Sequence, residues 1–138
     1  GTTIYSNLAL TQATYTQSPV KNVEGKRVEY VPFINWKAGI QANYKRFKLT
    51  YQCSYLSEQF ADATNAEKGG YSGVNGIVPA YLLMDVSAGY SWKWLTLEGT
   101  VNNVAGVPYF TRRAIGYPGP GIIPGDGRGF YLTAGVKL

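Results

Sequence analysis

The densest group of chemically capable side chains lies in TRRAIGYPGPGIIPGDGRGF, Thr111 to Phe130. Three arginines, a tyrosine and an aspartate stand there among six glycines and three prolines. Arginine carries planar, permanently charged donors that match carboxylates and other oxyanions. Proline fixes the backbone and glycine permits tight reversals, so this composition predicts a compact, ordered loop. Binding residues concentrate on such loops when a rigid scaffold holds them. Arg112, Arg113 and Arg128 are therefore candidate contacts for an anionic ligand, and Tyr117 could stack on it or donate a hydrogen bond. The competing reading leaves the arginines holding the loop together.

Other chemistries are excluded or weak. Histidine is absent, which removes imidazole bases and most zinc and iron sites. The single Cys53 reads as a small apolar filler on a strand face. Neither GYPGPG nor GDGRG precedes a helix, so neither is a phosphate cradle, and DGRG lacks the alternating oxygen ligands of a calcium loop. No nucleophile or base accompanies the carboxylates, so the chain reads as a non-enzyme without cofactors. Its net charge of +5 contains no basic run, which argues against nucleic acid. Lys26 and Arg27 beside Glu24 and Glu29, and Asp62, Glu67 and Lys68, read as solvated loop charges.

The elements that must position these residues are strands. Apolar and polar residues alternate with period two. Trp36, Ala38, Ile40, Ala42 and Tyr44 share one face, as do Leu49, Tyr51, Cys53 and Tyr55. So do Met84, Val86, Ala88, Tyr90 and Trp92, then Leu95, Leu97, Gly99 and Val101, then Phe130, Leu132, Ala134, Val136 and Leu138. Lys37, Asp85 and Glu98 fall on the opposite, polar faces. A further strand is expected from Thr3 to Tyr15, without a face assignment. About six strands result, most far longer than the roughly five or six residues usual in soluble proteins, and of the length a tilted strand needs to cross a bilayer.

The connections alternate between tight, at Lys45-Arg46 and around Lys93, and long, at 17–29, 61–78 and 105–127. An antiparallel meander then carries its tight turns at one end and its long loops at the other, as transmembrane barrels do. Aromatic residues flank both ends. Tyr44, Phe47, Tyr90, Trp92 and Trp94 lie by the tight turns, and Tyr30, Phe33, Phe60, Tyr81, Tyr109, Phe110 and Phe130 by the loops, as two girdles bounding an apolar band would. Lys45, Arg46, Lys48 and Lys93 gather at the tight-turn end with no acid among them. Six strands cannot close a membrane barrel, and open edges in lipid are costly. The expectation is an all-β antiparallel segment of a larger barrel, ending at Leu138. The alternatives are a passive pore or adhesin built from several copies, and a soluble β-sandwich binding module.

The chain also resembles TonB-dependent outer-membrane receptors. The matching residues are Val31-Pro32 before a strand and Tyr55-Leu56-Ser57-Glu58-Gln59-Phe60. Further along come Ile77-Val78-Pro79-Ala80-Tyr81 leading to Asp85, Trp94-Leu95-Thr96-Leu97, Asn102-Asn103, and Tyr109-Phe110 before the Gly/Pro loop. The resemblance departs at Ala105-Gly106, where bulkier and acidic residues are usual, and at Leu138, where Phe is usual. It implies that residues 1–138 are the C-terminal portion of a 22-stranded transmembrane β-barrel, without the plug domain. It implies a place in the cell outer membrane and uptake of a ferric siderophore or ferric citrate. The partners would be the outer-membrane lipid and the TonB complex, reached through the missing plug. Arg112, Arg113, Tyr117 and Arg128 would then face the chelate, or else contact lipopolysaccharide phosphates or neighbouring acids.

Overall fold

The computed structural model describes residues 1–116 and 119–137; the candidate Tyr117 and the terminal Leu138 lie outside the described residues. Among those residues there are ten strands and no helix. In chain order they are β1 Thr2–Leu10, β2 Ile34–Tyr44, β3 Phe47–Leu56, β4 Gln59–Phe60, β5 Ile77–Val78, β6 Tyr81–Trp92, β7 Leu95–Asn102, β8 Phe110–Ala114, β9 Gly121–Pro124 and β10 Gly129–Val136. The long strands form one antiparallel sheet in the order β1-β2-β3-β6-β7-β10. No second sheet packs on its face: β4-β5 and β8-β9 are two-stranded ribbons within the long loops.

Register converts the alternation into two continuous surfaces. Ile4 pairs with Ile40, Ile40 with Tyr51, Tyr51 with Val86, Val86 with Val101, and Val101 with Phe130. One residue along, Thr3, Gln41, Thr50, Ser87, Thr100 and Tyr131 form the adjoining row. A one-residue slip anywhere would exchange the two faces. Ile4 is 76% exposed and Leu132 81%, so no described residue covers the apolar face at either edge of the sheet.

Both ends of the sheet step in the same direction. The β2–β3 turn closes beside Tyr90, while β6 runs on to Trp92. At the other end β3 reaches Tyr81, but the β7–β10 ladder stops at Asn102, which in register lies lower, beside Asp85. Such stagger is what tilted strands of a barrel wall require.

Two elements depart from expectation. β1 ends at Leu10 rather than Tyr15. Beyond it Thr11 N–H donates to the Phe33 carbonyl at 3.0 Å, and the chain then runs beside its own returning loop. There Tyr15 N–H donates to Lys26 O at 2.9 Å and Val28 N–H to Ala13 O at 3.0 Å. Asn22 and Gly25, both at positive φ, turn the loop back tightly enough to allow this pairing. The segment after Ala105 is not irregular throughout, because β8 and β9 pair as a ribbon with a bulge between Phe110 and Arg112.

Apolar side chains that are truly buried lie above the sheet, in the loop layer: Val23, Ala61, Val78 and Ala114. Burying a valine contributes about 1.5–3 kcal/mol, and fixing one residue's backbone costs about 1–2 kcal/mol. Hydrogen bonds between the loops add to this small core.

Candidate functional site

The three long loops converge on a cavity of about 530 Å³. Its wall takes Glu29 and Tyr30 from the first loop, Asp62, Val74 and Asn75 from the second, and Arg112, Arg113, Ile115 and Ile123 from the third. The β8–β9 ribbon explains how the arginines reach it: Arg112 pairs with Ile123 and Arg113 with Ile122 across the two strands.

Loop-to-loop bonds hold the wall. Asn65, at φ 53°, turns its amide onto the backbone of Arg27, accepting from its N–H at 2.7 Å and donating to its carbonyl at 2.8 Å. Tyr30, also at positive φ, donates its hydroxyl to the Arg113 carbonyl at 2.9 Å, while its N–H donates to Phe60 O at 2.9 Å. A non-glycine residue in this left-handed region is uncommon, so these contacts hold the turn against a local preference. Tyr15 donates to Glu29 Oε2 at 2.6 Å. That hydrogen bond, aided by burial and by the nearby carboxylate charge, raises the Tyr15 phenol above its ordinary pKa.

Arg113 is half-buried and its guanidinium faces the second loop. Nη1 donates to Gly73 O at 2.9 Å, Nη2 to Ile77 O at 2.9 Å and Nε to the same carbonyl at 3.3 Å. Its carbon centre lies 5.0 Å from the Phe110 ring centroid, a stacking geometry that lysine cannot copy. The loop-holding role is thus visible for Arg113. Arg112 is exposed and lines the same cavity. Arg128 is not part of this wall. It lies against Gly106, where an added Cβ would sit 2.9 Å from Nη2 and where the backbone runs at φ +66°. That close approach gives a physical reason for glycine in the Ala105-Gly106 departure.

Two acids read as solvated are cavity residues instead. Asp62 accepts from Thr64 N–H at 2.9 Å and from the Thr64 hydroxyl, while its other oxygen is buried without a hydrogen-bond partner. Glu29 is engaged by Tyr15. The D-x-T spacing of Asp62 and Thr64, a local side-chain turn, was the signal available. Among the described residues no group of three potential metal ligands occurs. The wall therefore joins two guanidinium groups and two carboxylates around a space lined also by aliphatic groups. It can take up an anion through the exposed Arg112.

Below the cavity, Asp85 on the polar face is engaged by the loops. It accepts from Asn103 N–H at 2.9 Å. Asn103 is 4% exposed, and its amide accepts from Val107 N–H and donates to Val107 O, each at 2.9 Å. The Asn102-Asn103 pair marks the point where β7 turns into the third loop.

No protein-family model and no curated protein sequence matches the chain. Solved structures do. The fold is that of a segment of solved ferric-chelate transporters and receptors. The unliganded ferric citrate transporter FecA superposes with a TM-score of 0.91 over 99% of this chain, at 23% sequence identity. The ferric-catecholate import receptor Fiu from E. coli K12, in its closed form, gives 0.76 over 98% at 19% identity. The ferric yersiniabactin uptake receptor FyuA from Yersinia pestis gives 0.78 over 99% at 14% identity. The chain covers 21%, 18% and 21% of those three chains respectively, about a fifth of their length. All three are named as transporters or receptors.

Proposed function

We propose that this chain forms six wall strands and three outer loops of an outer-membrane, TonB-dependent importer of a ferric chelate. The observation that carries this reading is the superposition on FecA over nearly the whole chain, loops included. The cavity supports it, since three loops are held in one layer around an arginine-bearing wall at the end away from the tight turns. Residues 1–138 are then the C-terminal portion of the receptor, with the plug and TonB-contacting segment upstream.

Within that site Arg112 contacts the anionic chelate, and Arg113 keeps the wall in shape. Tyr117 and Arg128 belong to the same loop and remain candidates for contact as the chelate settles. The test uses the full-length protein in cells lacking their own ferric-chelate receptors. Uptake of radiolabelled iron, supplied as ferric citrate or as a ferric catecholate, should appear with the gene and vanish when TonB is deleted. In the same protein Arg112→Gln should weaken chelate binding by roughly ten- to a hundredfold, the worth of a charge-assisted hydrogen bond, without changing assembly. Uptake of neither chelate, or uptake indifferent to TonB, would remove the assignment.

A further inference from the structure

The charges of this chain are divided between the two ends of the sheet. Seven of its thirteen basic residues lie at the loop end, mixed with six of its eight acids. Five lie toward the tight-turn end, Lys45, Arg46, Lys48, Lys93 and Lys137; the one acid in their rows is Glu98, which shares the row of Lys48 and Gly89 on the polar face. Lys137 belongs to this group because its N–H donates to the carbonyl of Trp94, at the second tight turn, at 2.8 Å. The excess positive charge of the molecule thus sits at one rim.

Geometry divides this rim further. Lys45 and Lys93 each occupy the first position of a two-residue turn, at φ 54° and φ 50°. Their ammonium groups fold back over aromatic rings, 5.3 Å from the Tyr44 centroid and 6.0 Å from the Trp92 centroid. Those rings stand on the apolar face. Tyr44, Phe47 and Tyr90 are successive register partners, with the Phe47 and Tyr90 centroids 4.7 Å apart, and Trp92 continues the same face. Tyr44, Phe47 and Trp92 are exposed. Two cations therefore rest on the outer side of the rim, above an aromatic ledge, with Arg46 beside them. Lys48 and Lys137 fall in register on the polar face and are not part of this ledge.

We infer that the tight-turn rim is a binding surface for the phosphate headgroups of anionic phospholipid in the leaflet on that side. The inference rests on the barrel reading, because only a wall that crosses a bilayer puts this ledge at headgroup level. Aromatic rings with an apolar body and a polar edge settle at the interface, and basic side chains just outside the hydrocarbon attract anionic lipid. The aromatic ledge would pack against the glycerol and upper acyl region, while Lys45, Arg46 and Lys93 reach the phosphate. The loop end, with cations and acids nearly balanced, offers no such field.

The experiment refolds the full-length protein into vesicles of phosphatidylcholine, alone or mixed with phosphatidylglycerol, and counts co-purifying lipid by native mass spectrometry after mild detergent extraction. Wild type should retain phosphatidylglycerol over phosphatidylcholine. The triple variant Lys45→Gln, Arg46→Gln, Lys93→Gln should lose that preference by about tenfold or more, since each cation near a membrane surface is worth about a kcal/mol. A control at the other end, Lys21→Gln with Lys68→Gln, should keep it. Heat-modifiable migration in gels reports folding separately, so a variant that fails to insert is distinguished from one that inserts without lipid preference. Wild type that folds in vesicles without retaining phosphatidylglycerol overturns the inference and leaves the barrel standing. Loss of preference in the loop-end control alone overturns it as well. Wild type that never inserts overturns the inference together with the barrel reading beneath it.

Discussion

Arg113 shows how one side chain can hold a binding layer without belonging to its chemistry. Two backbone carbonyls of the second loop take its guanidinium donors, and Tyr30 takes its own carbonyl, so three loops meet at one residue. Arg113→Met should leave Gly73 O and Ile77 O without their partner, at a cost of about 1.5–3 kcal/mol per charged bond. Hydrogen exchange should then accelerate through residues 70–78 while the long strands stay protected. Arg113→Lys should fail to restore it, because a single ammonium cannot reach both carbonyls and stack on Phe110. Unaltered exchange in the second loop would show that Arg113 does not hold it. Tyr15 offers a second check at this scale. Its pKa is raised, so the bond to Glu29 is intact at neutral pH, persists through the ordinary tyrosine range and is lost as pH climbs through the raised value. A difference absorbance titration of the native protein against Glu29→Gln should show one phenol ionising at lower pH in the variant. Coincident titrations would mean that the bond is not formed.

At the scale of elements, what could be read locally differs from what needed pairing. The faces of β2, β3, β6, β7 and β10 follow from period-two alternation, and the register bears each of them out. β1 resisted because Leu8, Ala9 and Leu10 place apolar side chains on both sides. Only its ladder to β2, with Ile4 opposite Ile40 and Leu8 opposite Trp36, assigns Tyr5 to the polar face. There Tyr5 covers Gly39 and donates to Gln52 at 2.9 Å, and a Cβ on Gly39 would clash with the Tyr5 hydroxyl and ring. Gly39→Val should push the ring aside and cost about 1 kcal/mol for the lost hydrogen bond, more if the strand shifts. In a Tyr5→Ala background the same substitution should cost almost nothing, a coupling that a double-mutant cycle of urea unfolding in micelles would measure. Equal costs in both backgrounds would place Tyr5 elsewhere. The β8–β9 ribbon and the cavity were illegible for a related reason. Gly and Pro break alternation, and the bonds that build the layer join residues far apart in sequence, Asn65 with Arg27 and Tyr30 with Arg113. No local pattern announces such pairs, so Arg112 and Arg113 could be named as candidates while their different surroundings could not.

For the molecule as a whole, the decisive property is a sheet with one apolar face and, among the described residues, no layer packed against it. In water such a face would be a large aggregation-prone patch, whereas in a bilayer it is the surface the solvent requires, provided the edges at β1 and β10 find partner strands. The two faces must then respond oppositely to the same charge. Val86 and Ser87 are neighbours in the middle of β6, in the apolar and polar rows respectively. A lysine or arginine in the hydrocarbon costs about 2–4 kcal/mol at the midplane, while lumen-facing changes are tolerated. Val86→Arg in the full-length protein should therefore lower folding free energy in lipid vesicles by about that amount and deplete the assembled form in membranes. Ser87→Arg, one residue away, should leave both nearly unchanged, since the polar face already carries Lys37, Asp85 and Glu98. Denaturant titrations in vesicles would read the first quantity, and the heat-modifiable fraction in membranes the second. Equal, small effects at both positions would mean that neither face meets lipid. A larger penalty at Ser87 would turn the wall inside out, and with it the side of the rim on which the Tyr44 and Trp92 rings and their lysines stand.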